Sequence, residues 1–385
     1  MEFNTAESGW ESRVLSRFSA ASVSDESIAN LAMALGASGT VRRGNGYEND
    51  LASTGGAGSL TTFLSPLLMV HDGASVPKIG VPGRPAGVID SLGSVPQYRT
   101  SLTGLEFEKA LSRAQFANAL ASGQFAPADG TLFRARQLAG MQRVPALVVA
   151  SLLSKKIAAG LERCTIDIRV GKGQNFGESQ TDAAANATLL KRVGRMVQIE
   201  VTTVFSRGDL AAQPHIGRLE ALEALLLVVT GQATGWLAEH VHDCVKSARV
   251  HDPELDQREV SFDRLAQVLK NNLQAQGVVG GIDALARHVK SMGSSASYAE
   301  VRAGDEGYVQ WDTNSLRSTL VDEQAMSDRP AIFPDPAGIT LIARDNERVR
   351  RGDLVAMARH FHPDAIEPLA SRVLSAVTLL ASRLN

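Results

Sequence analysis

Much of what this chain does not contain bears on its chemistry. It has only two cysteines, Cys164 and Cys244, far apart and outside any zinc or disulfide-framework spacing. That excludes a disulfide-stapled scaffold and fits a reducing compartment, with the cytoplasm as the default expectation. It has no basic run, and 39 Lys and Arg against 41 Asp and Glu leave a formal charge of −2. Nothing in that balance attracts a polyanion, so nucleic acid is not an expected partner. Long apolar runs are missing too: stretches such as Ala224 to Thr230 fall far short of a membrane span, and MEFNTAESGWESR has no hydrophobic export core. Neither membrane insertion nor export is expected. His240, His242 and Cys244 sit at i, i+2 and i+4, so on a helix His242 leaves the face the other two share. His360 and His362 flank Phe361 without acidic or thiol partners upstream. No metal site and no cofactor are expected, and there are no repeats.

What is present is enough apolar residue, 44% of 385, for one large core or two lobes. The chain is organised around the stretch from Arg136 to Gly173. Val148, Leu152, Leu153, Ile157 and Leu161 recur at helical spacing from Pro145 onward, and Thr165 to Val170 then alternates like a strand. A helix feeds a strand. Ser151 and Lys155 are four apart and stack on one helical face, while Arg136 lies upstream on a segment that Pro145 separates, able to fold back over the helix start. A guanidinium fork, a hydroxyl and an ammonium at one spot suit a planar ring with adjacent carbonyl and imide groups, such as a pyrimidine. By spacing alone, a solvated face and a surface ion pair are the ordinary outcome for such residues.

The run Ala150-Ser151-Leu152-Leu153-Ser154-Lys155-Lys156-Ile157-Ala158-Ala159-Gly160-Leu161, followed by Asp167-Ile168-Arg169-Val170-Gly171-Lys172-Gly173, resembles the signature of the thymidine phosphorylase and pyrimidine-nucleoside phosphorylase family. Ala126-Pro127-Ala128-Asp129 extends that likeness, which continues more weakly from about Leu31 to Ala356. The resemblance places the base-binding Arg, Ser and Lys on Arg136, Ser151 and Lys155, with Arg136 and Lys155 also taking the catalytic role of stabilising the departing base.

A second stretch, Asp50 to Thr62, clusters glycines at 55, 56 and 58 ahead of a helical run from Phe63 to Val70. Converging backbone N–H groups at a helix start make an anion nest, although a short glycine cluster is most often only a turn. The family's phosphate loop has the same Ser-Thr-Gly-Gly-x-Gly core. On that resemblance Ser53, Thr54, Gly55, Gly56 and Thr62 are the anion-binding candidates. The family's Lys-His pair just before this core is Leu51-Ala52 here, which removes a charge for phosphate and a group that assists the departing base. Its Asp after the third glycine is Ser59. The second phosphate loop, Ile79 to Asp90, is shortened and carries two prolines where the family has hydroxyls. Arg84, and beside it Lys78, are the cations available to replace the lost Lys.

The fold class implied is α/β: a small helical lobe from 1–38 and 126–162, a larger mixed lobe from 39–125 and 163–297, and a β-rich C-terminal subdomain from 298–385 with a final helix, the cleft lying between lobes. A hinge near 120–130 and 157–165 would close over the substrate. Two short helices are read between Arg13 and Leu35, with Ser24-Asp25-Glu26 starting the second. Phe107, Ala110, Leu111 and Phe116 are read as one helical face, Ala183 to Val197 as a helix, and Gln198 to Phe205 as a strand. Ile366, Leu369, Val373, Val377 and Leu380 form the final helix. The functional expectation is pentosyl transfer at the N-glycosidic bond of a pyrimidine nucleoside, with phosphate as acceptor. Transfer to another acceptor, hydrolysis, and a non-catalytic pyrimidine-binding protein remain open alternatives. The related anthranilate phosphoribosyltransferases share this architecture, but their acidic metal-binding pair is not evident. The family resemblance also implies a homodimer, although the shortened N-terminal helices that would carry its contact count against it.

Overall fold

The computed structural model describes residues 3–19, 23–58, 60–82, 85, 87–121, 123–326 and 333–383. Its first helices, α1 (Trp10–Phe18) and α2 (Asp25–Gly36), fall where the sequence places them, and Ser24 caps α2 by accepting from the Ser27 N–H. Strand β1 (Leu51–Ser53) runs through the glycine loop into α3 (Leu60–His71), which is buried along its whole length. Next come β2 (Val76–Gly80), α4 (Val88–Gly93), α5 (Gly104–Ala114) and β3 (Phe116–Leu120). One expectation needs correction here: Phe107, Ala110 and Leu111 share the buried face of α5, but Phe116 does not. Gln115 turns the chain out of the helix at φ 57, and Phe116 opens β3. All four are buried, so apolar identity gives burial while periodicity misses the turn.

The organising stretch forms α6 (Pro127–Leu138), α7 (Pro145–Ala158) and β4 (Arg163–Val170), followed by α8 (Gln180–Met196) and β5 (Glu200–Arg207). The strands pair in parallel, in the order β1-β4-β5, with β2 and β3 forming a second parallel pair. Parallel pairing requires crossover connections, and the intervening helices supply them. Helices α1, α2, α6 and α7 pack around Leu31, Leu35, Leu132, Leu147 and Leu153, all fully buried, in a core continuous with β4 and α8. Each such leucine contributes about 1.5–3 kcal/mol on burial.

After β6 (His215–Ile216), four helices close the body: α9 (Arg218–Val229), α10 (Gly235–Ala248), α11 (Phe262–Ala275) and α12 (Gly281–Ser294). The chain ends with β7 (Ser297–Arg302), β8 (Gly307–Trp311), α13 (Thr313–Ala325), β9 (Ala337–Leu341), β10 (Arg348–Val349), β11 (Leu354–His360), α14 (Ile366–Ser375) and β12 (Val377–Leu380). These last strands form two sheets, β6-β9-β11-β7 and β10-β8-β12. The final helix is shorter than its pattern predicts. Ile366, Leu369 and Val373 are buried on α14, whereas Val377 to Leu380 pair antiparallel with β8. An apolar spacing of three and four continues into those residues, but the backbone groups of Trp311 to Tyr308 compete for them and win.

The result is a mixed α/β fold with a helical group at one end and a β-rich C-terminal portion. No helix among the described residues is long and apolar enough to cross a membrane. Both cysteines are free and buried, and no group of three His, Cys, Asp or Glu residues among those described is placed to hold a metal ion.

Candidate active site

Helix α7 starts at Pro145, whose fixed φ suits the first turn, and is buried on nearly every side. Its Ser151 and Lys155 are therefore not on a solvated face. Together with Arg136 from the end of α6 and Thr54 and Gly55 from the glycine loop, they line one cavity of about 300 Å³. Ser53 and Thr62 line a smaller adjoining cavity of about 70 Å³, with Lys78 and Asn118. Lys155 and Leu152 border both. Gly56 faces away, toward Arg169 and a third, minor hollow. Arg84 lies outside the described residues.

The three base-site candidates are held differently. Arg136 folds back over the start of α7, as its position relative to Pro145 allows. Its Nη1 donates to the Leu147 carbonyl at 3.2 Å, Nη2 to Gln142 O at 3.2 Å and Nε to Met141 O at 3.5 Å. A guanidinium has five N–H groups, so one proton on each Nη stays available to a ligand. Burial pulls its pKa down to about 10, against the opposing pull of Asp129; it stays cationic at neutral pH.

Lys155 Nζ donates to Asp129 Oδ2 at 2.7 Å, to Ser151 Oγ at 3.0 Å and to the Ser151 carbonyl. All three ammonium protons thus have acceptors in the protein. Ser151 Oγ accepts from Lys155, and its own proton can point outward. The donors left free to face the cavity are therefore the Arg136 Nη groups and the Ser151 hydroxyl, with Lys155 fixing that hydroxyl and supplying charge behind it. Asp129, from the Ala-Pro-Ala-Asp run, is fully buried. Its role is invisible without the fold, because 26 residues separate it from Lys155.

The smaller cavity is built around another carboxylate that spacing alone does not single out. Asp50 takes Lys78 Nζ at 2.5 Å on Oδ1 and Lys156 Nζ on Oδ2. Lys78 also donates to Leu51 O at 2.6 Å. Burial alone would raise the Asp50 carboxyl, but Lys156 and Lys78 override it and hold it below the usual carboxylate range. Two ammonium groups on one carboxylate leave a net positive charge beside Ser53 and Thr62, so Lys78 does point inward. The loop glycines adopt φ 140 at Gly55 and φ 110 at Gly56, values that exclude most side chains. Thr54 Oγ1 accepts from the Arg169 N–H at 3.0 Å and ties the loop to β4. Leu51, where the resembled family has Lys, is fully buried in the main core, whereas Ala52 borders the small cavity.

The far wall of the larger cavity comes from α13, through Asn314, Arg317 and Ser318. Asn314 Nδ2 donates to Lys172 O at 2.8 Å, which anchors the helix to the Gly171-Lys172-Gly173 loop. Gly173 permits the approach: at φ 80, any Cβ there would meet Asn314 Nδ2 at 2.5 Å. Nothing in the sequence marks α13 as part of the site.

No protein-family model matches the chain. The chain is 26% identical over 374 residues to a thymidine phosphorylase of Mesorhizobium japonicum, covering 93% of this chain and 85% of that protein. It is 30% identical over 261 residues to a pyrimidine-nucleoside phosphorylase of Bacillus subtilis, covering 65% of this chain and 58% of that one. Among solved structures, anthranilate phosphoribosyltransferase from Thermus thermophilus aligns with 75% of this chain and 96% of its own at 15% identity. Its TM-score is 0.47, too loose a likeness to carry an argument.

Proposed function

Starting from its place as a divergent member of the thymidine phosphorylase and pyrimidine-nucleoside phosphorylase family, we propose that this chain transfers the pentosyl group of a pyrimidine nucleoside, with the base held in the larger cavity. One observation carries the reading: Arg136, Ser151 and Lys155, from two helices, converge on one hollow that the glycine loop also borders. Breaking an N-glycosidic bond puts negative charge on the leaving base and positive charge on the sugar. The Arg136 Nη protons and the Ser151 hydroxyl would meet the base oxygen where that charge develops, and Lys155 would add its field from behind. Removing one preorganised donor of this kind raises the barrier by about 2.7–4 kcal/mol.

The acceptor would enter the adjoining hollow beside Ser53 and Thr62, where Lys78, backed by Lys156, outweighs Asp50 by one charge and the other lining carboxylate, Asp90, is paired with Arg218. That excess is the physical support for an anionic acceptor, phosphate first, despite the loss of the family's Lys-His pair. The helical group, 1–38 with 126–162, would close against the body to exclude water.

The test is base release from thymidine and uridine, followed by chromatography with and without phosphate. Phosphate-dependent release supports phosphorolysis, and release without phosphate points to water or another acceptor. The replacement of Lys-His by Leu51 and Ala52 favours a second reading, a pyrimidine-binding protein without catalysis. Binding of uracil or thymine with no bond cleavage under any condition would establish it.

A further inference from the structure

The charge on the larger cavity exceeds what a neutral nucleoside requires. Arg136, Arg143, Lys155 and Arg317 line it, and no carboxylate does so among the described residues. Three of the four are compensated. Lys155 is paired with Asp129 at 2.7 Å, Arg136 is bonded to carbonyls and sits in the field of that same carboxylate, and Arg143 lies 3.9 Å from Glu178 on the surface. Arg317 is not compensated. Its guanidinium is partly buried, and no hydrogen bond, ion pair or ring contact engages it among the described residues. Burial pulls its pKa below the ordinary arginine value, and no neighbouring charge offsets that effect. A half-desolvated cation without a counterion is costly in a folded protein and calls for an anion.

The helix that carries it is anchored. One turn earlier on α13, Asn314 is bonded to the Lys172 carbonyl through the close approach that Gly173 allows. Ser318 stands beside Arg317 on the same wall, its hydroxyl proton donated to the Asn314 carbonyl at 2.6 Å. The acceptor's anion has its own cation, Lys78, in the other hollow, with Lys156 behind it on Asp50, and Arg317 does not border that one. Resting on the base-site reading above, we propose that Arg317, with the second amide proton of Asn314, recognises an anionic substituent carried by the nucleoside itself, a phosphate or a carboxylate, so that the preferred substrate is a charged pyrimidine nucleoside.

Calorimetric titration of the full chain with uridine, uridine 5′-monophosphate, orotidine and inorganic phosphate tests this. Tighter binding of the monophosphate by at least tenfold over uridine places the anion on the sugar; the same preference for orotidine places it on the ring. In either case Arg317→Gln should reduce the preference to near unity and Arg317→Lys should recover part of it. Added salt should weaken the charged ligand more than uridine. Uridine binding with no preference for either charged ligand overturns the proposal and leaves the base site standing. Preference that survives Arg317→Gln also overturns it. If Arg317→Gln instead weakens inorganic phosphate alone, Arg317 serves the acceptor and the proposal fails. Absence of binding by every pyrimidine ligand strikes the base-site reading itself.

Discussion

The two hollows of the proposed site keep the residues of the resembled family to different degrees. On the base side, Arg136, Ser151 and Lys155 are all present, and each is fixed by a partner: three carbonyls for the guanidinium, Asp129 for the ammonium, and Lys155 for the hydroxyl. On the acceptor side, the residues before the glycine loop are Leu51 and Ala52, and the charge comes from further away, through Lys78 and Lys156 on Asp50. A ring needs donors in fixed directions, so few substitutions keep its geometry. A small anion needs mainly positive potential, which several arrangements provide. Divergence is therefore expected to fall on the acceptor side first.

The largest effect is expected at Lys155. Lys155→Ala leaves Asp129 buried without its cation, which should cost about 3–5 kcal/mol of stability and abolish base recognition. Adding Asp129→Ala should restore most of the stability, measured by denaturant unfolding, but not the base affinity, measured by calorimetry. Recovery of both would mean that the ammonium only props the helix.

On the other side, Leu51→Lys should destabilise the chain by several kcal/mol, because position 51 faces the main core and would bury a charge. Ala52→His should fold normally, since Ala52 borders the small hollow, and should raise phosphate-dependent base release about tenfold. Equal tolerance of the two variants would show that β1 is misplaced.

Acid should act on the acceptor side through Asp50. Its folded pKa is depressed, so its stabilisation is complete above the unfolded value of about 3.9 and is lost as pH falls through the lower folded value. Unfolding free energies of the wild type and Asp50→Asn should thus converge in strong acid and stay apart at neutral pH. A constant gap would rule out the charged triad. The smallest effect is expected for Ser151→Ala, a loss of about 1 kcal/mol or fivefold in base affinity with little change in Tm. No loss would leave recognition to Arg136 alone.

How far these features can be read from sequence depends on how local they are. The α7-to-β4 unit and the start of α2 rest on short-range spacing and capping, and they stand where the pattern puts them. Phe116 and Val377 to Leu380 do not: one left-handed residue in the first case and a partner strand in the second decide against the helical period. The base-site candidates could be named because the resembled motif holds them together. Asp129, Asp50 and Arg317 could not be, since each acts across a separation that only the fold closes: Asp50 lies 106 residues from Lys156, and α13 reaches the 171–173 loop across 142.

The consecutive lysines of α7 point to opposite duties, Lys155 to Asp129 and Lys156 to Asp50. A helix is stiff along its axis and advances about 1.5 Å per residue, so sliding it by a single step would unseat both ammonium groups together. The two halves of the site hang on one rod, and neither can be retuned by moving that rod without detuning the other.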